Sequence, residues 1–149
     1  MRAVIQRVSH ASVKVDTKTM GCIDCGLVVL LGVHRHDTDQ DVQWMMEKIV
    51  HLRIFDDLQG RMNLSLLDVG GELLVVSQFT LLGDCRKGRR PSWSQAAPPA
   101  HAKRLYLDFV AGFQQKGISV HTGKFQTMMD VNLINHGPVT LLLDSHKQF

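Results

Sequence analysis

Four short stretches carry residue types that can do chemistry. Ser77-Gln78-Phe79-Thr80 breaks the polarity of the apolar run Leu73-Leu74-Val75-Val76. A hydroxyl there becomes a nucleophile only beside a base such as His and an orienting acid, and no G-x-S-x-G turn surrounds Ser77 or Thr80. The other readings are a strand emerging into water, or recognition through the backbone and Gln78. Asn135-His136-Gly137-Pro138-Val139-Thr140 is a second polar interruption between apolar runs. Its Gly-Pro bond is a candidate cis peptide, or a β-turn with proline opening an edge strand. Arg86-Lys87-Gly88-Arg89-Arg90 places four cations in five residues, just before Pro91-Ser92-Trp93. Such a loop tracks a phosphate backbone while the aromatic ring stacks on a base, a reading level with a solvated turn. Cys22-Ile23-Asp24-Cys25 is a C-x-x-C with His34 and His36 downstream. Zinc requires four converging ligands, and this spacing matches no finger. A redox motif belongs at a helix start after a strand. Two cysteines in a turn or edge strand is the simpler reading. The eight histidines are scattered without a helical H-E-x-x-H pair and nearly all read as surface residues, His136 being set apart only by its neighbours. No metal or cofactor is expected.

These stretches need elements to position them. Val13 and Val15 alternate with Ser12, Lys14 and Asp16, a half-buried strand pattern, and Arg2 to Val8 is similar. Asp16-Thr17-Lys18-Thr19 reads as a turn. Gly26 to Val33 is apolar on both sides, hence a central strand covered on both faces. Thr38 with Asp41 three residues on is a capping-box start, followed by Val42, Met45, Met46, Ile49 and Leu52 at helical spacing. Leu52 to Phe55 reads as a short strand and Glu72 to Thr80 as a long one. Residues 83–98 read as a basic loop. Pro98-Pro99 opens a second helix with Ala102, Leu105, Tyr106, Phe109 and Phe113 on its apolar face and Gly117 as its stop. Strands around Ile118–His121, Val131–Ile134 and Val139–Leu143 complete about nine strand candidates. The expected fold is α+β, a single domain over residues 1–149, with mixed β-sheets covered on one side by two helices.

The chain has 149 residues, 44% of them hydrophobic and 21% charged, which excludes disordered and fibrous classes. No apolar run approaches the ~18–20 residues needed to span a bilayer, so no membrane partner is expected. Met1-Arg2-Ala3-Val4 turns polar at Gln6-Arg7, unlike a secretory leader. Three cysteines without a framework suit a reducing, cytoplasmic setting. Seventeen Lys and Arg against fourteen Asp and Glu give a net charge of +3, smaller than the charge of the Arg86–Arg90 loop alone. The basicity is therefore local.

Taken together the motifs resemble the D-aminoacyl-tRNA deacylase family over nearly the whole chain. The resemblance runs through Met1 to Val8, Ala11-Ser12-Val13, Leu52 to Phe55, Met62 to Ser65, Gly70 to Leu81 and Arg86 to Ser92. It continues through Ala96 to Pro99, Thr122 to Phe125 and Gly137 to Leu143. Ser77-Gln78-Phe79-Thr80-Leu81 and Asn135-His136-Gly137-Pro138-Val139-Thr140 are its most specific parts.

The resemblance implies a homodimer of small subunits, with a barrel-like β/β/α layered core, that hydrolyses the ester joining a D-amino acid or glycine to the 3′ end of tRNA. It implies that Ser77, Gln78, Phe79 and Thr80 line the catalytic pocket for the terminal adenosine. Gly137 and Pro138, joined by a cis bond and flanked by Asn135 and Val139, then enter that pocket from the partner subunit and exclude L side chains. Arg7 matches the arginine bracing that element, and Phe125 and Met129 match residues beside the adenine. Arg86, Lys87, Arg89 and Arg90 are assigned to tRNA. No cofactor is implied.

Three features depart from the family. Leu82-Gly83-Asp84-Cys85 stands where an aromatic and a Thr are common, His136 where an acid is common, and Cys22 and Cys25 have no counterpart. Two rivals remain open on the residues alone. One is a non-enzymatic RNA- or DNA-binding module using the Arg86–Arg90 loop and Trp93. The other is a nucleotide hydrolase or transferase using His136, against which counts the absence of a P-loop or paired metal carboxylates.

Overall fold

The computed structural model describes residues 1–148. Strand β1 runs unbroken over Arg2–Val15, so the two N-terminal strand patterns are one element. A two-residue turn at Asp16-Thr17 leads into β2 (Lys18–Ile23), which already holds Lys18 and Thr19, and then β3 (Gly26–Gly32). One edge of β1 pairs with β3 along Arg2–Val8 and with β2 along Ala11–Val15. The other edge pairs with the last strand, β8 (Asp130–Asp144). Between them lie helix α1 (Asp39–His51), a small hairpin of β4 (Phe55–Asp56) and β5 (Met62–Leu64), strand β6 (Glu72–Ser77), helix α2 (Pro99–Gln115) and strand β7 (Val120–Thr122). β6 runs parallel to both β3 and β7.

Side-chain alternation divides this sheet between two cores. Leu27, Val29 and Leu31 of β3, with Leu73 and Val75 of β6, pack under the helices. Val28, Leu74 and Val76 from the same strands join Val8, Ala11, Val13 and Ile23 in a second cluster on the opposite face. β3 is buried on both faces, as its apolar run requires. The sheet curls until β2 meets β7 and nearly closes a barrel. Glycine serves that seam: a methyl group on Gly21 would lie 3.1 Å from both His121 Cβ and the Thr122 carbonyl oxygen.

Both helices form for local reasons and cover one face. The capping box of Thr38 and Asp41 starts α1, which buries Val42, Met45, Met46, Ile49 and Val50. Pro99 at the first turn starts α2, which buries Leu105, Tyr106, Phe109, Val110 and Phe113. Its end is a Schellman motif: Ile118 N–H donates to the Phe113 carbonyl and Gly117 N–H to that of Gln114, with Gly117 at φ +78°. Phe109 and Phe113 meet edge to face at 4.9 Å. No helix among the described residues is long and apolar enough to cross a membrane.

Three expected elements differ. Leu52-Arg53-Ile54 is irregular and only Phe55–Asp56 is strand, because the Ile54 carbonyl is taken by the Arg7 guanidinium instead of a ladder. The Glu72–Thr80 strand stops at Ser77, where β3 runs out beside it. Val131–Ile134 and Val139–Leu143 belong to one strand, β8, which the Asn135–Thr140 stretch interrupts as a bulge and not as a turn between two strands.

Candidate functional site

β3, β6 and β7 point the same way, so their C-terminal ends gather at one edge of the sheet. Crevices beyond the carboxyl ends of parallel strands are the usual ligand positions in such sheets. Ser77 ends β6 opposite Leu31, and Gln78 N–H donates to the Leu31 carbonyl at 2.8 Å, the last bond of the ladder. The chain then tightens into a 3-10 turn over Phe79–Leu82. Phe79 and Thr80 are exposed there, and the Gln78 side-chain amide donates to the Thr80 hydroxyl. A helix start leaves its first backbone N–H groups without intrahelical partners, and Phe79 and Thr80 occupy those positions. Neither Ser77 nor Thr80 has a histidine bonded to it among the described residues.

The basic loop folds back onto this turn. Asp84 and Ser92 bridge its ends through paired backbone bonds of 2.8 and 3.0 Å. Trp93 then lies edge to face against Phe79, ring centroids 5.3 Å apart, with both rings open to solvent. Arg86 is not available in the way its neighbours are. It binds Asp84 through both Nε (2.9 Å) and Nη2 (2.6 Å), and hydrogen bonds from the Arg86 side chain and backbone hold the Asp84 carboxyl far below the usual carboxylate range. Lys87, Arg89 and Arg90 make no ion pair among the described residues. Nothing in the sequence pattern announced the Asp84–Arg86 pair except the two-residue spacing of a tight turn.

Phe125 follows β7 at the same edge. Its ring lies 5.8 Å from Tyr106, whose buried hydroxyl donates to the Val75 carbonyl at 2.9 Å, two residues before Ser77. Burial pushes the Tyr106 phenol up to about 12, against a smaller opposing effect of Thr122. Met129 packs beside Gly123 against the barrel cluster.

The second motif is built as an exposed bulge. Gln6 faces Thr140, while Val8, two residues on, faces Asn135, five residues back, so His136 to Val139 are pushed out of the ladder. Gly137-Pro138 is a cis peptide. The bulge is tied at its base. Arg7, only 5% exposed, donates from Nε to the His136 carbonyl at 2.8 Å and from Nη1 to that of Ile54 at 2.7 Å. Asn135 Nδ2 donates to the carbonyls of Arg7 and Val139. Val139 is buried below, while His136, Gly137 and Pro138 are exposed.

One chain does not bring the two motifs together. Arg7 lies opposite Leu27, and Ser77 opposite Leu31. Four residues of strand separate those levels, about 13 Å along the sheet at ~3.3 Å per residue. Arg7, Asn135, Gly137, Pro138 and Val139 form one cluster. Ser77 to Thr80, Phe125 and the Arg86–Arg90 loop lie at the opposite end.

Residues 4–144 match the family model described as D-Tyr-tRNA(Tyr) deacylase. The chain belongs to that family. As a member it is a hydrolase, a deacylase of D-aminoacyl-tRNA in translation quality control. It is 60% identical to the D-aminoacyl-tRNA deacylase of Thermosipho africanus and 59% identical to that of Clostridioides difficile, each over 149 residues and the full length of both chains. Among solved structures it is similar to the c-Myc DNA Unwinding Element Binding Protein, with TM-score 0.91, 37% identity and coverage of 97% of this chain and 98% of that one. A probable eukaryotic D-amino acid tRNA deacylase shares the fold, with TM-score 0.76 at 18% identity over 95% of this chain and 97% of that one.

Proposed function

We propose that this deacylase works as a homodimer whose sites are each completed by two chains. The Ser77–Thr80 turn of one subunit receives the terminal aminoacyl-adenosine, and the Gly137-Pro138 bulge of the other closes over the amino acid. The distance between these motifs within one chain carries this reading. With the two motifs at opposite ends of the sheet, a wall built from Gly137-Pro138 is supplied to Thr80 by a second copy on this reading. An available seam supports the pairing. β8 is an edge strand with Ile134 and Leu142 exposed, and Leu142 neighbours the half-buried Val4 and Leu30 across the register. Three free, exposed cysteines suit the cytoplasmic setting proposed for it.

The chemistry asks for position more than for a triad. An aminoacyl ester is already activated, so water attacks its carbonyl once the tetrahedral oxyanion is stabilised. The Phe79 and Thr80 N–H groups are the donors proposed for that charge, with the tRNA 2′-OH orienting the water. The proton lost by water goes to the departing 3′ oxygen. Stereochemistry follows from exclusion. L and D substrates offer the same polar groups, so attraction separates them poorly, and an obstacle where an L side chain points does so directly. A backbone wall leaves room there only for hydrogen. Glycine therefore passes, and a D side chain projects away from the wall. Phe125 and Met129 flank the adenine, and Lys87, Arg89 and Arg90 meet the phosphates of the acceptor end.

A second reading, nucleic-acid binding without chemistry, is favoured by the relative named for a DNA unwinding element. One assay separates them. The protein is incubated with D-Tyr-tRNA, Gly-tRNA and L-Tyr-tRNA, and amino-acid release is followed. Release from the first two and not the third is expected. Retained RNA binding with no release from any substrate establishes the second reading instead.

A further inference from the structure

Histidines scattered along the sequence meet in space behind the Phe79–Leu82 turn. His34 follows β3, Asp37 lies three residues on, and His146 comes from the tail after β8. That tail is fastened in place. Ser145 N–H donates to the Met1 carbonyl at 2.9 Å, and its hydroxyl to Asp41 Oδ1 at 2.7 Å. Asp37 is the fixed centre, with a side chain fully shielded from solvent. Its Oδ2 accepts His34 N–H at 2.6 Å, and its backbone carbonyl lies 2.9 Å from His101 Nε2. Its Oδ1 lies 2.7 Å from His146 Nε2 and accepts the terminal ammonium at 2.6 Å. The His34 and His146 rings are 5.3 Å apart, and one ligand atom from each of His34, Asp37 and His146 lies within 4.8 Å of the others. A cavity of about 10 Å³ beside them is lined by His34, His146, Leu82 and Asp144 together with Arg2, whose guanidinium is bound to Asp144. That is close to the volume of one water-sized sphere.

We infer that His34, Asp37 and His146 form a binding site for one divalent transition-metal ion, zinc being the best match, which clamps the C-terminal tail to the β3–α1 connection. Two imidazole nitrogens and one carboxylate are borderline donors. They suit Zn²⁺, Co²⁺ and Ni²⁺ and not the oxygen-seeking Mg²⁺ or Ca²⁺. Zinc bonds of ~2.0–2.2 Å in a tetrahedron set ligand atoms about 3.3 Å apart. The set therefore opens slightly at His146–Asp37 and closes elsewhere. The His146 ring is exposed, and the half-exposed His34 ring gives up one of its two contacts, Nε2 with Gln95 Oε1 at 3.1 Å or Nδ1 with the His36 N–H at 3.2 Å, while Asp37 stays fixed. The ion takes the place of the proton between His146 Nε2 and Asp37 Oδ1. That proton moves to Nδ1 of a neutral ring, or to solvent from a charged one, and no electrons are exchanged. Asp41 Oδ1, 3.6 Å from His146 Nε2, supplies a second negative charge against the ammonium, and water completes the set. None of these residues belongs to the two motifs of the deacylase site.

Zinc chloride titrated into chelator-stripped protein, followed by calorimetry and thermal melting, tests the site. One equivalent is expected to bind, raising Tm by roughly 5–10 °C at a hundredfold excess over Kd, and magnesium chloride is expected to do neither. Co²⁺ is expected to give visible d–d absorption. His34→Ala and His146→Ala, with folding verified by circular dichroism, are each expected to weaken binding at least tenfold and abolish the Tm rise. Cys22→Ser, which removes the thiol that meets a different histidine (His10 to Cys22, 3.8 Å), is expected to leave both intact. His146 lies on the exposed tail, so its variant keeps the test alive if His34→Ala misfolds. Undiminished binding in His146→Ala, loss of binding in Cys22→Ser, or no one-equivalent binding at all overturns the site.

Discussion

Arg7 Nε donates to the carbonyl oxygen of His136 at 2.8 Å, from a guanidinium that is itself buried. The same side chain holds the Ile54 carbonyl, so one residue of β1 fastens the Gly137-Pro138 bulge to the start of the β4–β5 hairpin. Its third partner, Asp56 at 3.3 Å, is 44% exposed and adds little. Arg7→Ala leaves two carbonyls unpaired in a closed environment. A loss of roughly 2–4 kcal/mol is expected in urea unfolding. Because the bulge loses its tie, deacylation of D-Tyr-tRNA relative to L-Tyr-tRNA is expected to fall as well. Lysine reaches one carbonyl at a time, and Arg7→Lys is expected to be intermediate in both measurements.

At Gly137 an added methyl would lie 2.2 Å from Val139 N and 3.0 Å from Val139 Cγ2. Gly137→Ala must therefore reshape the bulge from within. A fall of at least about tenfold in kcat/KM for D-Tyr-tRNA is expected, with little change in urea midpoint because the bulge is exposed. An unchanged kcat/KM removes Gly137 from the pocket.

Thr80 is exposed and its hydroxyl is held by the Gln78 amide, with no base among the described residues bonded to it. Thr80→Ala is expected to retain most deacylation in single-turnover assays. Complete loss in a folded variant would instead point to a covalent acyl-enzyme.

Arg86 is occupied by Asp84, whereas Arg89 and Arg90 are not, so loop cations are not equivalent. Replacing Arg89 and Arg90 together by alanine is expected to lower the slope of log Kd against log salt by about 1.4 for single-stranded contacts. Arg86→Ala is expected to change it less. Filter binding of tRNA at several salt concentrations measures both.

Tyr106 gives a pH prediction. Its folded phenol sits near 12 because burial disfavours the phenolate, above the ordinary value of 10.0. Between those values the unfolded chain has lost the proton and the folded one has kept it. Stability is thus fully present below pH ~10 and declines as pH rises towards 12, by roughly 2–3 kcal/mol in total. Tyr106→Phe is expected to abolish that alkaline decline in urea unfolding. It costs about 1 kcal/mol at neutral pH for the lost bond to the Val75 carbonyl.

What was legible in the residues was mostly local. The Thr38–Asp41 box, Pro99 and Gly117 mark helix ends through atoms within a few positions of each other, and the double-sided apolar run of β3 declares a central strand. The end of β6 was not legible, since Phe79 and Thr80 are good strand formers. The strand stops because its neighbour does, a fact held by Leu31 and not by residues near Ser77. The bulge was invisible for the same reason: only pairing with Gln6 and Val8 reveals surplus residues between Asn135 and Thr140. The histidine cluster is the extreme case, since His34 and His146 come from nearly opposite ends of the chain and only folding joins them. The motif residues themselves were recognisable as a set. Their division between two subunits was implied only by the family resemblance; the strand levels that hold them apart within one chain come from the folded register.

That separation has a consequence for ownership. In the proposed homodimer each polypeptide contributes half of two different sites, so two chains yield two sites and neither belongs to one chain. Mix a subunit defective at the Ser77–Thr80 turn with one defective at the Gly137-Pro138 bulge. Half of the resulting pairs are mixed, and each mixed pair contains one intact site made from the sound halves of two broken proteins. On that proposal fidelity is a property of encounter, and dilution that parts the chains is expected to abolish it.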